Sequence, residues 1–255
     1  MNISPAKLHL VQDSPIDSDP IPSWKRWLDV MIVISALPFL LPLMVVIVAM
    51  IRIVSRGPIL FRQERVGYLG RRFMCFKFRT MHVGADTRIH QGHLDQLMTS
   101  DKPMTKMDKT GDPRIIPFGS LLRSSGLDEL PQLINVLRGE MSLVGPRPCL
   151  PYEYDKYLPW QKERFQTTPG LTGLWQVSGK NNTTFTEMIH LDIRYAKTKN
   201  LWLDVTIILK TVPAILIQIW ETRKKKREDR RVFSRATPRP APPAAASLSS
   251  SAGGR

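Results

Sequence analysis

Between Val30 and Ile51 the chain carries no charged residue, a run of about 22 residues and long enough to cross the hydrocarbon core of a bilayer. The surrounding text, WKRWLDVMIVISALPFLLPLMVVIVAMIRIVSRG, puts one helix in lipid, and the rest of the chain must fold around it. Its flanks argue against a simple crossing. Lys25 and Arg26 precede the run while Arg52, Arg56, Arg62 and Arg65 follow it, whereas a spanning helix keeps its basic excess on the cytoplasmic side alone. Pro38 and Pro42 lie inside the run, where each removes a backbone donor and crowds the carbonyl four residues earlier. Together these features fit a bent helix that kinks or breaks at the prolines, dips into the membrane and returns, with Trp24 and Trp27 at the interface. An ordinary single span is the rival reading, since membrane helices tolerate proline.

With 255 residues, 42% of them hydrophobic, the chain can build one core beside that segment. Its formal charge is +15, which points to an anionic partner: nucleic acid, a phosphate-bearing substrate or acidic lipid. Nearly half of the excess belongs to the end of the chain, because residues 221–255 hold ten basic and three acidic residues, +7 of the total. Cys75 and Cys149 are too few and too far apart for a disulfide framework or a zinc site. His82, His90 and His93 match no zinc spacing either.

The text divides into a polar arm (1–23), the membrane helix (24–57), a domain with interfacial helices (58–220) and a basic, then Pro/Ala/Ser-rich tail (221–255). From Pro58 to Met81 two short strands flank a turn at Gly67 to Gly70. Alternation puts Met74, Phe76 and Phe78 on one face of the second strand and Cys75, Lys77 and Arg79 on the other. Residues 82–117 read as a polar loop with a helical turn or two. TEMIHLDIRYAKTKN reads as a helix with Met188, Leu191, Ile193 and Tyr195 at partial core spacing. In LWLDVTIILKTVPAILIQIW, Asp204, Lys210 and Pro213 interrupt the apolar run, so this segment is expected to lie on the membrane or the domain. The expected fold is α+β and mainly helical: a monotopic membrane protein with interfacial amphipathic helices and a small β-hairpin.

The chemistry concentrates in SSGLDELPQLINVLRGEMSLVGPRP. Pro131 costs least in the first turn of a helix, which sets the expected helix start near Asp128, itself a good N-cap, with Ser125 offering an alternative capping box. Leu130, Leu133, Ile134 and Leu137 would form its apolar stripe and Gly139 its end. The adjacent carboxylates Asp128 and Glu129 repel each other, a cost offset when a divalent cation or an arginine lies between them. Arg123 just before the pair and Arg147, fixed between Pro146 and Pro148, are candidate phosphate clamps. The plainer alternative is a capped helix followed by a turn.

Taken in order, FKFRTM, DPRIIPFGSLLRSSGLDELPQLINVLRGEMSLVGPRP, PGLTGLWQVSGKN and LDIRYAKTKNLWLDVTIILKT resemble the signature blocks of the bacterial sugar transferase family, the small monotopic phosphoglycosyl transferases, over about residues 24–218. The resemblance implies transfer of sugar-1-phosphate from a UDP-sugar to a polyprenyl phosphate, commonly undecaprenyl phosphate, with release of UMP. It implies Asp128 as nucleophile through a covalent phosphosugar intermediate, and a Mg²⁺ ion held at Asp128 and Glu129. By matching position it adds Lys77, Arg79, Thr80, Arg123, Arg147 and Asp192, with uridine and hexose contacts expected between Gln176 and Asn181. It also implies a re-entrant helix broken at a proline. Where the family pattern has Ser-Pro this chain has Leu41-Pro42, with Ser35 six residues earlier, so Pro42, aided by Pro38, would carry the break. The expected partners are the UDP-sugar, the lipid phosphate and membrane lipids, without nucleic acid; a homo-oligomer stays open. The expected place is the cytoplasmic face of the bacterial inner membrane, in the family's minimal catalytic form, starting exopolysaccharide or another lipid-linked glycan. Two rivals are a membrane glycosyltransferase releasing UDP and a non-enzymatic basic membrane adaptor.

Overall fold

Helix α1 (Ser23–Val54) takes in the whole uncharged run, and it is one continuous helix of 32 residues with Pro38 and Pro42 inside it. The predicted break near Pro42 does not occur: each proline removes a single backbone donor, and the neighbouring turns keep the helix going. The computed structural model describes residues 21–82, 92, 95–98, 103, 114–179 and 183–236, without the side chains of Gln218 and of 221–236. Most of the arm, His90, His93, Asn181 and the final residues lie outside the described residues. Among those described, α1 is the single helix long and apolar enough to cross a membrane by length and composition.

Both ends of α1 rest on the same domain. Val33 packs with Cys75, Leu133, Val136 and Met141. Ile47 and Ile51 pack with Phe78, Ile116 and Leu122, and Leu130 lies against both groups. Between these two groups one side of the helix stays packed on the domain through Leu37, Leu40, Leu43 and Met44, while the other is bare, with Phe39 80% exposed and Leu41, Val45 and Val46 also exposed. Polar pins fix the first turns. The buried Lys25 ammonium donates to the Val144 carbonyl (2.8 Å), the Tyr195 hydroxyl (2.8 Å) and Asp204 Oδ2 (2.6 Å). Asp29 Oδ1 accepts from Ser142 Oγ (3.0 Å) and the Leu143 amide (2.9 Å).

The predicted hairpin forms from β1 (Leu60–Val66) and β2 (Arg72–Phe78), antiparallel, with Leu60 opposite Phe78 and Val66 opposite Arg72. Its faces differ from the simple alternation: Cys75 is buried, Met74 is exposed and Phe76 is partly covered by the Arg62 and Arg138 guanidinium groups. The reason is tertiary, because β2 is packed on the Cys75 side by α1 and α3. After α2 (Gly119–Ser125), a 3₁₀ turn (Leu127–Gln132) leads into α3 (Leu133–Arg138).

A second, parallel pair, β3 (Ser142–Val144) with β4 (Gly170–Thr172), had no strand signal in the sequence. Here two chain segments cross in contact: a Cβ on Gly145 would lie 2.2 Å from the Thr168 carbonyl oxygen, and one on Gly170 2.1 Å from the Gly145 amide nitrogen. Short helices α4 (Pro151–Lys156) and α5 (Leu174–Val177) flank this pair. Helix α6 (Phe185–Thr198) starts at a capping box between Thr184 and Glu187 and buries Phe185, Met188, Ile189 and Tyr195 in the core. The last helix, α7 (Leu201–Ala236), runs past the expected limit at Trp220 and through the basic cluster, whose Lys, Arg and Glu residues are good helix formers.

Candidate active site

Asp128 and Glu129 sit in the 3₁₀ turn rather than at the start of an α-helix. Gly126, at φ 74°, ends α2 and begins the turn, so neither Asp128 nor Ser125 acts as a cap; the Ser125 hydroxyl donates back to the Leu121 carbonyl (2.8 Å). Pro131 falls in the turn and displaces the α-helix start to Leu133, so the pair precedes the α-helix instead of opening it. The predicted stripe shifts with it. Leu133 is buried, but Ile134 and Leu137 face outward, and Asn135 takes the inward place.

That asparagine is a residue the sequence reading missed. Asn135 Oδ1 accepts from the Phe76 amide (3.2 Å), while its Nδ2 donates to the Met74 carbonyl (2.7 Å) and to Glu140 Oε2 (2.6 Å). It thereby fixes β2 to α3, and with them Lys77 to the carboxylate pair. Lys77 Nζ lies 2.6 Å from Glu129 Oε1, while Asp128 is 9% exposed.

Arg147 is brought to the same neighbourhood. Its side chain is exposed between the buried Pro146 and Pro148, and the backbone on either side is held from beneath. Arg164 Nη2 donates to the Arg147 carbonyl (2.9 Å) and Arg65 Nη1 to the Pro148 carbonyl (3.2 Å). The Cys75 thiol, pushed up chiefly by burial, lies within electrostatic reach of Lys77, Arg65, Glu129 and Arg147. Glu153, also raised by burial, feels Arg65, Arg147 and Arg164. Arg123 closes α2, five residues before Asp128.

The other expected site residues make their hydrogen bonds to other parts of the domain. Asp192 is fully buried and paired with Arg164, so it orients the group that holds the Arg147 backbone. Burial pushes its carboxyl up to about 6 against the pull of Arg164, and it remains ionised at neutral pH. Thr80 is buried with its carbonyl accepting from the Ile116 amide (3.1 Å). Gln176 lies on α5, its Nε2 donating to the Leu171 carbonyl (3.4 Å). Arg79 turns toward the end of α1, where Nη2 donates to the Ser55 carbonyl (3.0 Å) and hydroxyl (3.2 Å). Arg164, Arg65 and Asn135 had no local signal; each acts on backbone distant in sequence.

Among the described residues no group of three His, Cys, Asp or Glu side chains could hold a metal. Asp128 and Glu129 supply two adjacent carboxylates in one turn, so a magnesium ion there would have to take its remaining ligands from water and substrate phosphate, the usual manner for that ion.

Residues 22–218 match the family described as Bacterial sugar transferase. The chain is 37% identical over 193 residues to the exopolysaccharide production protein ExoY of Sinorhizobium fredii, covering 76% of this chain and 85% of that protein. It is 40% identical over 200 residues to the UDP-glucose:undecaprenyl-phosphate glucose-1-phosphate transferase of Caulobacter vibrioides, covering 75% and 69%. To the galactosyl transferase CpsE of Streptococcus agalactiae it is 44% identical over 162 residues, covering 63% of this chain and 35% of that one.

Proposed function

The chain belongs to the bacterial sugar transferase family, and on that footing we propose that it moves a sugar-1-phosphate from a UDP-sugar to a polyprenyl phosphate through a covalent intermediate on Asp128. The observation that carries this reading is the carboxylate pair, held in one turn with the Lys77 ammonium 2.6 Å from Glu129 Oε1. An Asp128 oxygen attacks the phosphorus that bears the sugar. The bond from that phosphorus to the bridging oxygen breaks, and UMP leaves with the electron pair. A phosphate oxygen of the lipid then attacks the same phosphorus, the aspartyl bond breaks, and the carboxylate is restored. The product is a lipid-linked sugar diphosphate, the starting unit of an exopolysaccharide or related glycan.

Lys77 orients Glu129 and offsets negative charge beside the attacked phosphorus. Arg147, exposed on a stiff Gly-Pro-Arg-Pro segment, offers a guanidinium to the diphosphate. A magnesium ion held by Asp128 and Glu129 would screen the diphosphate charge.

The membrane reading follows from α1. A helix of 32 residues is about 48 Å long, and crossing a bilayer would carry one end roughly 30 Å from the other across lipid. Instead Lys25 and Ile51 are both buried against one domain, which supports an unbroken helix lying along one face of the membrane with both ends on the same side. We place that face on the cytoplasmic side of the inner membrane, where UDP-sugars and the flanking basic residues belong.

The test is incubation of purified protein with a UDP-sugar and no lipid. The wild type should gain the mass of one hexose phosphate at Asp128 and release UMP, and Asp128→Asn should do neither. Release of UDP, or an active Asn variant, refutes the covalent route.

A further inference from the structure

Of the buried guanidinium groups in the domain, Arg79 stands apart. Arg164 is matched by Asp192 and Arg65 by the Gln63 side chain and the Pro148 carbonyl. Arg79 is 5% exposed, yet among the described residues no carboxylate pairs with it, and only Nη2 is engaged, by the Ser55 carbonyl and hydroxyl. Among the described residues its Nε and Nη1 are buried without a hydrogen-bond partner. A buried cation in this condition is stabilised by an anion more than by any neutral group.

Its place says which anion. The Arg79 amide continues the hairpin ladder by donating to the Ile59 carbonyl (2.9 Å), and alternation sets Arg79 on the strand side of Lys77, about 7 Å further along. It is therefore one step from the Lys77–Glu129 pair. Its other neighbour is the C-terminal end of α1, where the apolar helix meets the domain and Ile53 is 84% exposed. A ligand that reaches this point along α1 has an apolar tail and a phosphate head.

We infer that Arg79 is the seat of the acceptor's phosphate, held ready by Ser55 at the exit of the membrane helix while the sugar phosphate is carried on Asp128. The inference rests on the transfer proposed above and divides its cations by substrate: Lys77 and Arg147 serve the nucleotide sugar, Arg79 the lipid. The two unpartnered nitrogens are shielded from water in this structure, so the surrounding side chains part when the phosphate enters.

The experiment uses the full chain in nanodiscs of neutral lipid. Arg79→Gln should raise the KM for polyprenyl phosphate about tenfold or more, the loss of one charge-assisted contact, while the adduct formed from UDP-sugar alone accumulates within about threefold of the wild-type rate. Arg79→Lys should fall between. An unchanged acceptor KM, or equal loss in both half-reactions, overturns the assignment. If the Arg79 variants do not fold, Ser55→Ala removes one of the two contacts that aim the guanidinium and should raise the same KM by a few fold; no change there counts against the proposal. Native mass spectrometry with polyprenyl phosphate and the uncharged polyprenol gives a reading independent of the covalent step. Wild type should prefer the phosphate and Arg79→Gln should not. If wild type forms no adduct, the transfer mechanism falls and this binding preference still decides the role of Arg79. Equal retention of inorganic phosphate without lipid would assign the site to free phosphate and overturn the lipid assignment.

Discussion

Lys77 and Glu129 are both partly exposed, at 21% and 37%, so their ion pair contributes little to folding, on the order of 0–1 kcal/mol. Its effect belongs to the chemistry. Lys77→Ala is expected to lower kcat/KM by about tenfold to a hundredfold while Tm shifts by only a few degrees, measured by UMP release and thermal melting. Asp192 behaves in the opposite way. Its carboxyl is raised to about 6 in the folded chain, against an ordinary value near 3.9 when unfolded. Between those values the folded state holds the extra proton, so this group makes stability rise as pH falls from about 6 toward 4. Denaturant melts across that range should show the slope flattened in Asp192→Asn; an unaltered slope would place the titration elsewhere. The carboxylate pair was legible because its two members are adjacent. Asp192 was legible as a motif position but not as a support, because the Arg164 it orients lies 28 residues away.

At the scale of elements, the site depends on how β2 meets the turn and α3. Asn135 makes three hydrogen bonds there, two of them to the β2 backbone. Asn135→Leu should destabilise the domain by about 2–4 kcal/mol, since it leaves the Phe76 amide and Met74 carbonyl unpaired as well as losing the bonds themselves. Urea unfolding measures the loss, and a variant as stable as wild type would show that the strand is held by packing alone. The hairpin was readable from its two runs around glycine. The 3₁₀ turn was not, because Pro131 in a capping context looks the same before an α-helix as within a tighter turn. Strands β3 and β4 were invisible for a different reason: three residues each, paired in parallel, leave too short a pattern to count.

Across the whole molecule, α1 was the most legible element and the one whose route the sequence misjudged in detail. Composition gave its length and its lipid character. The two prolines suggested a break, and the helix passes through both. What composition could not reveal is that Lys25 and Asp29, which look like flanking charges, are interior residues bonded to Asp204, Tyr195 and Ser142. Single cysteines introduced at Ser23 and Gly57 should react with an impermeant reagent from the same side of a sealed vesicle, and labelling from opposite sides would establish a crossing. The burial of both ends of α1 has a practical corollary. The membrane segment cannot be exchanged for a generic anchor or trimmed away to yield a soluble enzyme, because cutting it out would strand Asp204 without its counter-ion and uncover Phe78, Val136 and Met141. Helix α1 and the layer that carries the carboxylate pair are therefore lost or kept together.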